Sequence, residues 1–299
     1  MAQSHKRYRL SRREALVGYC FASPWFIGFI VFVLFPVLAS LSYSFMDYDI
    51  LRPPRWVGFA NYDALFHDVL FWRSLYNTLY YVVFSVPLTI IVGLAIALLL
   101  NGEIRGIALY RTLYYIPSIV PIVASSILWA WILDPNFGIL TNVVRFFGLP
   151  APGWLSDPFW AKNSLILMSL WGAGSGMVIY LAGLKNIPKV YYEAAEIDGA
   201  GTIQKFFKVT LPLISPTLFF QLIIGMIGSF QVFTQSYIIT GGGPNDSTLF
   251  YVFYLYNNAF RFWKMGYASA LAWVLFVIIM FLTWINLKLS KRWVNYDQM

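Results

Sequence analysis

Charge is scarce in this 299-residue chain: Asp, Glu, Lys and Arg together make up 11%, against about 25% in an ordinary soluble domain. So few charges could not cover a water-facing surface of this size. One cysteine, Cys20, excludes a disulfide framework and a cysteine-built metal site. The two histidines, His5 and His67, stand far apart in sequence, which argues against a histidine metal centre. A G-x-x-x-x-G-K-[ST] phosphate loop is also missing, so the chain has no usual backbone nest for ATP. What is abundant is apolar: 59% hydrophobic and 19% aromatic residues, with a mean hydropathy of +0.65. That composition belongs to a membrane protein.

The 34 charged residues all fall outside six long stretches, 15–46, 74–102, 112–133, 163–184, 209–245 and 265–287. Each is long enough for a helix to cross a hydrocarbon core of about 30 Å. Six spans put both termini on one side. That side carries 14 of the 21 basic residues, including Lys6, Arg7 and Arg9, Arg105 and Arg111, and Lys185 to Lys208. It is therefore expected to be cytoplasmic. The net charge of +8 is accounted for by this asymmetry, and no basic patch remains that calls for nucleic acid. The first stretch has a basic head like a secretory signal, but it is too long and lacks a small-residue cleavage pattern. It reads as a retained helix, with Trp25, Tyr43 and Tyr48 as interfacial anchors.

The spans contain no Asp, Glu, Lys, Arg or His, which argues against a proton relay and disfavours a charged solute bound by an opposite charge. The first outer segment, 47–73, holds Pro53, Pro54 and Gly58 and reads as irregular. Pro117 and Pro121 should kink the third span. The second outer segment, 134–162, should contain one short helix near 139–147. In the fourth span, Gly172 and Gly176 have the small-xxx-small spacing that lets helices approach closely. In the fifth, a helical projection of 221–237 gathers Gln221, Gly225, Gly228, Ser229, Gln231, Gln235 and Ser236 within ~160°. Bulky apolar side chains fill the other side. Such amides can bond neighbouring helices; beside glycines they also fit a solvated path for a neutral polar solute.

The fourth connection reads Lys185-Asn186-Ile187-Pro188-Lys189-Val190-Tyr191-Tyr192-Glu193-Ala194-Ala195-Glu196-Ile197-Asp198-Gly199. Pro188 suits a helix start, Val190, Ala194 and Ile197 share a face, and Gly199 and Gly201 stop the helix. A second short helix near 202–209 is expected to lead into the fifth span. Glu193-Ala194-Ala195, three residues, Gly199, nine residues, Val209, one residue and Leu211-Pro212 resemble the EAA loop of type I permeases of ABC importers. Gly138 to Asn142 after Trp129 and Trp131, and Thr240-Gly241-Gly242-Gly243-Pro244 after Phe230 and Gln231, resemble the carbohydrate branch of that family. The likeness spans 23–287 and is nearest the first membrane subunit of maltose-type transporters.

The resemblance implies an all-α fold of six transmembrane helices with a cytoplasmic coupling helix. It divides the chain into a first helix with its outer loop (1–73), a permease core (74–287) and a tail (288–299). It implies coupling to an ATPase through Glu193, Ala194, Ala195, Asp198 and Gly199. It also implies a substrate path along Trp171, Gly172, Ser175, Gly225, Ser229 and Val232, to which the projection adds Gln221, Gln231 and Gln235. The implied partners are a second permease, two cytoplasmic ATPases that bind ATP and Mg, an extracytoplasmic sugar-binding protein and membrane lipid. The chain itself would be no enzyme and would bind no cofactor, in a prokaryotic cytoplasmic membrane. The alternative is a self-sufficient secondary carrier or channel for a neutral polar solute. A membrane enzyme is disfavoured, since no paired carboxylates or nucleophile constellation lies at membrane depth.

Overall fold

The structure is a computed structural model that describes residues 12–102 and 105–295. Lys6, Arg7, Arg9 and the last four residues lie outside the described residues, as do residues 103 and 104. Four helices cross uninterrupted: span 1 (Glu14–Ser44), span 2 (Val69–Leu99), span 5 (Thr202–Phe230) and span 6 (Met265–Ser290). Two are broken. Span 3 is Ile107–Ile119 with Ile122–Ile132, bent by 98°, and span 4 is Pro158–Trp171 with Gly174–Lys185, bent by 47°. The six spans expected from the charge pattern are therefore present, two of them in halves.

The breaks have local causes. Val120 is extended, as the residue before a proline tends to be, and Pro121 then caps the second half of span 3. Span 4 breaks at Gly172, its first half beginning at Asp157, whose carboxylate accepts from the Phe159 amide at 2.8 Å. Span 5 carries Pro212 and Pro216 without breaking. A wide turn at Phe206–Thr210, closed by the Leu211 amide on the Phe206 carbonyl, absorbs the first proline. The second removes the donor for the Pro212 carbonyl, and the Ser215 hydroxyl replaces it at 2.6 Å. Span 1 repeats the wide turn at Ile30–Leu34, just before Pro36.

Spans 2, 4, 5 and 6 enclose the core. One cluster joins Phe71, Val86, Phe230, Tyr251 and Leu271; another, around Met177 and Tyr180, joins spans 2, 4 and 5 through Ala97, Leu184 and Ile214. Span 1 stands apart, with nothing buried in its apolar window. Only its end docks on span 6, where the Trp273 indole donates to Ser40 Oγ at 3.2 Å.

The segments expected to be outer are more regular than the sequence suggests. Met46–Asp47 pairs antiparallel with Arg55–Trp56, so Pro53 and Pro54 sit in a turn. Residues Ala60–His67 then form a helix. The expected helix in the second outer segment is present at Ile139–Phe146. An unexpected one, Tyr251–Tyr256, lies between spans 5 and 6. Thr78 Oγ1 accepts its first amide at 2.8 Å, and Asn77 donates to the Asp246 carbonyl at 2.7 Å. Asp68 caps span 2 through the Leu70 amide and accepts from the Tyr254 and Tyr267 hydroxyls. Burial alone would raise the Asp68 pKa, but the two hydroxyls and the Leu70 and Phe71 amides together hold it below its ordinary value.

Candidate functional site

The fourth connection forms one short helix, Lys189–Ile197, with Pro188 just before it. The chain leaves that helix through a left-handed Gly199, φ +74°. The Ala200 amide bonds back to the Ala195 carbonyl at 2.8 Å and the Gly199 amide to Glu196 at 3.0 Å. This is a Schellman closure, which needs a residue free to take positive φ. The expected second short helix is absent: residues 202–209 are the first turns of span 5 itself. Tyr192 bonds Thr210 at 3.0 Å and Lys205 bonds Glu196 at 2.7 Å, fixing the short helix to the foot of span 5.

Its other face is open. Val190 is 60% and Ile197 87% exposed, and Glu193, Ala194, Asp198 and Gly199 are exposed with them, while Ala195 is half-buried. Val190 and Ile197 are thus a β-branched pair left uncovered beside a small alanine.

The residues expected along a path come together around the break of span 4. Gln221, Gly225, Gly172 and Ser175 line a cavity of about 230 Å³ between spans 2, 4 and 5. Gly225 is shared with a second cavity, of about 330 Å³, walled by Ser229, Gln231 and Gln235. Gln235 and Ser175 are shared with a third, of about 260 Å³, walled by Trp171. All nine expected positions thus line three abutting hollows, none of which has a charged side chain in its wall. Hydroxyls, amides and an indole can donate, accept and stack, the repertoire that suits an uncharged polyhydroxylated ligand.

Two expectations change. The polar arc is not one helix: span 5 ends at Phe230, and the chain turns at Gln231 before a wide turn at Ser236–Thr240. Gln235 still reaches the hollows, but Ser236 is fully buried and donates to the Thr248 carbonyl. Val232 borders the second hollow, though it is largely buried against Tyr81, Leu165 and Phe250. The glycines also redistribute. A Cβ on Gly172 would meet just its own Ser169 carbonyl at 3.6 Å, so this glycine opens the break rather than packing helices. Close approach falls on Gly174, where a Cβ would lie 1.9 Å from the Tyr114 carbonyl, and on Gly183, 2.7 Å from Thr217 Oγ1. Tyr81 and Thr89 on span 2 also line the hollows; a spacing of about two helical turns puts them on one face of that span, a signal present in the sequence.

Known proteins share this architecture. The family described as "Binding-protein-dependent transport system inner membrane component" matches residues 71–295. The probable ABC transporter permease protein YesP of Bacillus subtilis is 45% identical over 99% of this chain and 97% of its own. The lactose transport system permease protein LacF of Rhizobium radiobacter is 34% identical over 96% and 98%. In fold, the chain superposes on a subunit of a bacterial alginate ABC transporter, crystallised with an alginate pentasaccharide-bound periplasmic protein, with a TM-score of 0.80 at 24% identity, covering 94% of this chain and 95% of that one. With six spans, an exposed short helix after span 4 and a match over most of its length, the chain belongs to the inner-membrane permease components of binding-protein-dependent ABC transport systems.

Proposed function

We propose that this permease forms, with a second permease, the membrane path of an importer for a sugar or oligosaccharide delivered by an extracytoplasmic binding protein. Two cytoplasmic ATPases, holding ATP and Mg, seat on Lys189–Ile197, and both termini face the cytoplasm. The observation that carries the substrate class is the uncharged wall of amides, hydroxyls and Trp171 along the three hollows. Permeases similar to this one are named for lactose and for trehalose and maltose transport, which supports the same class. The unburied first span supports a second membrane subunit beside it.

The path is tested by bulk. Ser229→Leu and Gln231→Leu each remove a polar group from the wall and fill space. Initial uptake by the assembled transporter should fall by about tenfold or more, the scale of one lost buried hydrogen bond with added steric conflict. Co-purification with the partners should stay at wild-type level. Loss of assembly in either variant would instead assign the residue to holding helices together.

A further inference from the structure

One hollow lies away from the proposed path. It holds about 860 Å³ and lies where the ends of spans 2 and 4 meet the start of span 3. Four cations line it, Arg105, Arg111, Lys185 and Lys189, with no acidic side chain among the described lining residues; neighbouring Glu103 lies outside them. Cations gather on the cytoplasmic side and at helix C-termini in any case, and that accounts for their number. It does not account for the state of Arg111. Elsewhere on this side Lys205 is paired with Glu196 at 2.7 Å, and Lys288 lies over the Trp284 ring at 5.1 Å. Here Arg111 is held by one nitrogen, Nη2, on the Leu100 carbonyl at 2.7 Å, while its buried Nε has no acceptor. A buried charged donor left unmatched is costly enough to call for a partner.

We propose that this hollow binds the phosphate headgroup of an anionic phospholipid. Basic pockets between membrane helices on the cytoplasmic side suit such headgroups. A phosphate supplies the acceptor Arg111 lacks and answers the charges of Arg105, Lys185 and Lys189. Its acyl chains have a surface beside it, since Leu99, Leu109 and Tyr110 are exposed at the same span ends. The proposal rests on the membrane placement of these ends and not on the sugar path.

The test is native mass spectrometry of the delipidated, fully assembled transporter, titrated with phosphatidylglycerol or phosphatidylcholine. Wild type should retain phosphatidylglycerol in preference by about tenfold or more, and Arg105→Gln with Lys185→Gln should abolish the preference. The charge-keeping pair Arg105→Lys with Lys185→Arg should preserve it, which separates charge from folding. Equal retention by wild type and the glutamine variant would overturn the proposal. So would displacement of the lipid by millimolar inorganic phosphate, which would make this a site for the free ion. Crosslinking of Arg105→Cys to an ATPase in place of lipid retention would overturn it as well, by giving the hollow a protein occupant.

Discussion

Gly199→Val should abolish ATP-driven uptake while leaving the chain inserted in the membrane. The residue closes the helix Lys189–Ile197 at φ +74°, and a Cβ there would meet no atom within 4 Å. The damage is therefore in the backbone and not in packing. A β-branched residue in the left-handed region costs on the order of 1–3 kcal/mol, comparable with the two hydrogen bonds of the Schellman closure. The chain would relieve that strain by unwinding the closure and re-aiming Glu193, Ala194 and Asp198. Uptake should drop by about 5- to 150-fold if that energy is lost from ATPase docking, and ATPase should leave washed membranes. Gly199→Asn is the control, since Asn tolerates this conformation, and should keep most uptake. Ala194→Trp, on the exposed face with Val190 and Ile197, should block docking without disturbing the turn; Ala195→Trp, half-buried, would mix both effects. Normal uptake and membrane-bound ATPase with Gly199→Val and Ala194→Trp combined would contradict the coupling role.

Gly174→Val should prevent the chain from folding as described. The first half of span 3 crosses span 4 so closely that a Cβ at Gly174 would lie 1.9 Å from the Tyr114 carbonyl oxygen and 3.1 Å from Tyr115 Cα. Both obstacles are backbone, which cannot rotate away as a side chain can, so the helices must separate. Overpacking of this kind costs about 3 kcal/mol or more. Thermal unfolding in detergent should shift down steeply, or no folded protein should be recovered. A Cβ at Gly172, two residues away, would have the Ser169 carbonyl oxygen as its nearest neighbour, at 3.6 Å, so Gly172→Ala should leave folding intact. A wild-type melting temperature for Gly174→Val would show that spans 3 and 4 do not cross as drawn.

Much of this architecture could be read from where charges are absent, because a membrane leaves few ways to place a charge. Pro117 and Pro121 likewise foretold the bend in span 3. The path was legible in composition but not in shape. Gln221, Ser229 and Gln235 share one wall, yet the helix assumed to join them ends at Phe230. No proline or glycine stands at 231–235 to announce that ending. Tertiary contacts impose it: Val232 is drawn into the cluster with Tyr81 and Phe250, and Ser236 onto the Thr248 carbonyl. The same holds for Tyr251–Tyr256, an uncharged aromatic run too short for a span, held by Thr78 and by Tyr254 on Asp68. Gly172 and Gly176 matched a packing motif, while Gly174, between them, makes the closest approach. Spacing alone cannot say which side of a helix meets a neighbour when the helix breaks inside the motif.

Uptake in proteoliposomes tests the central claim most directly. The chain would be reconstituted either alone or with its second permease, ATPases and binding protein, and accumulation of labelled oligosaccharide followed with and without ATP. The complete assembly should accumulate sugar with ATP and Mg and stop when either ATP or the binding protein is withheld, and the chain alone should move none. Sugar entry through the chain alone, without ATP or partners, would make it a self-sufficient carrier and contradict the account.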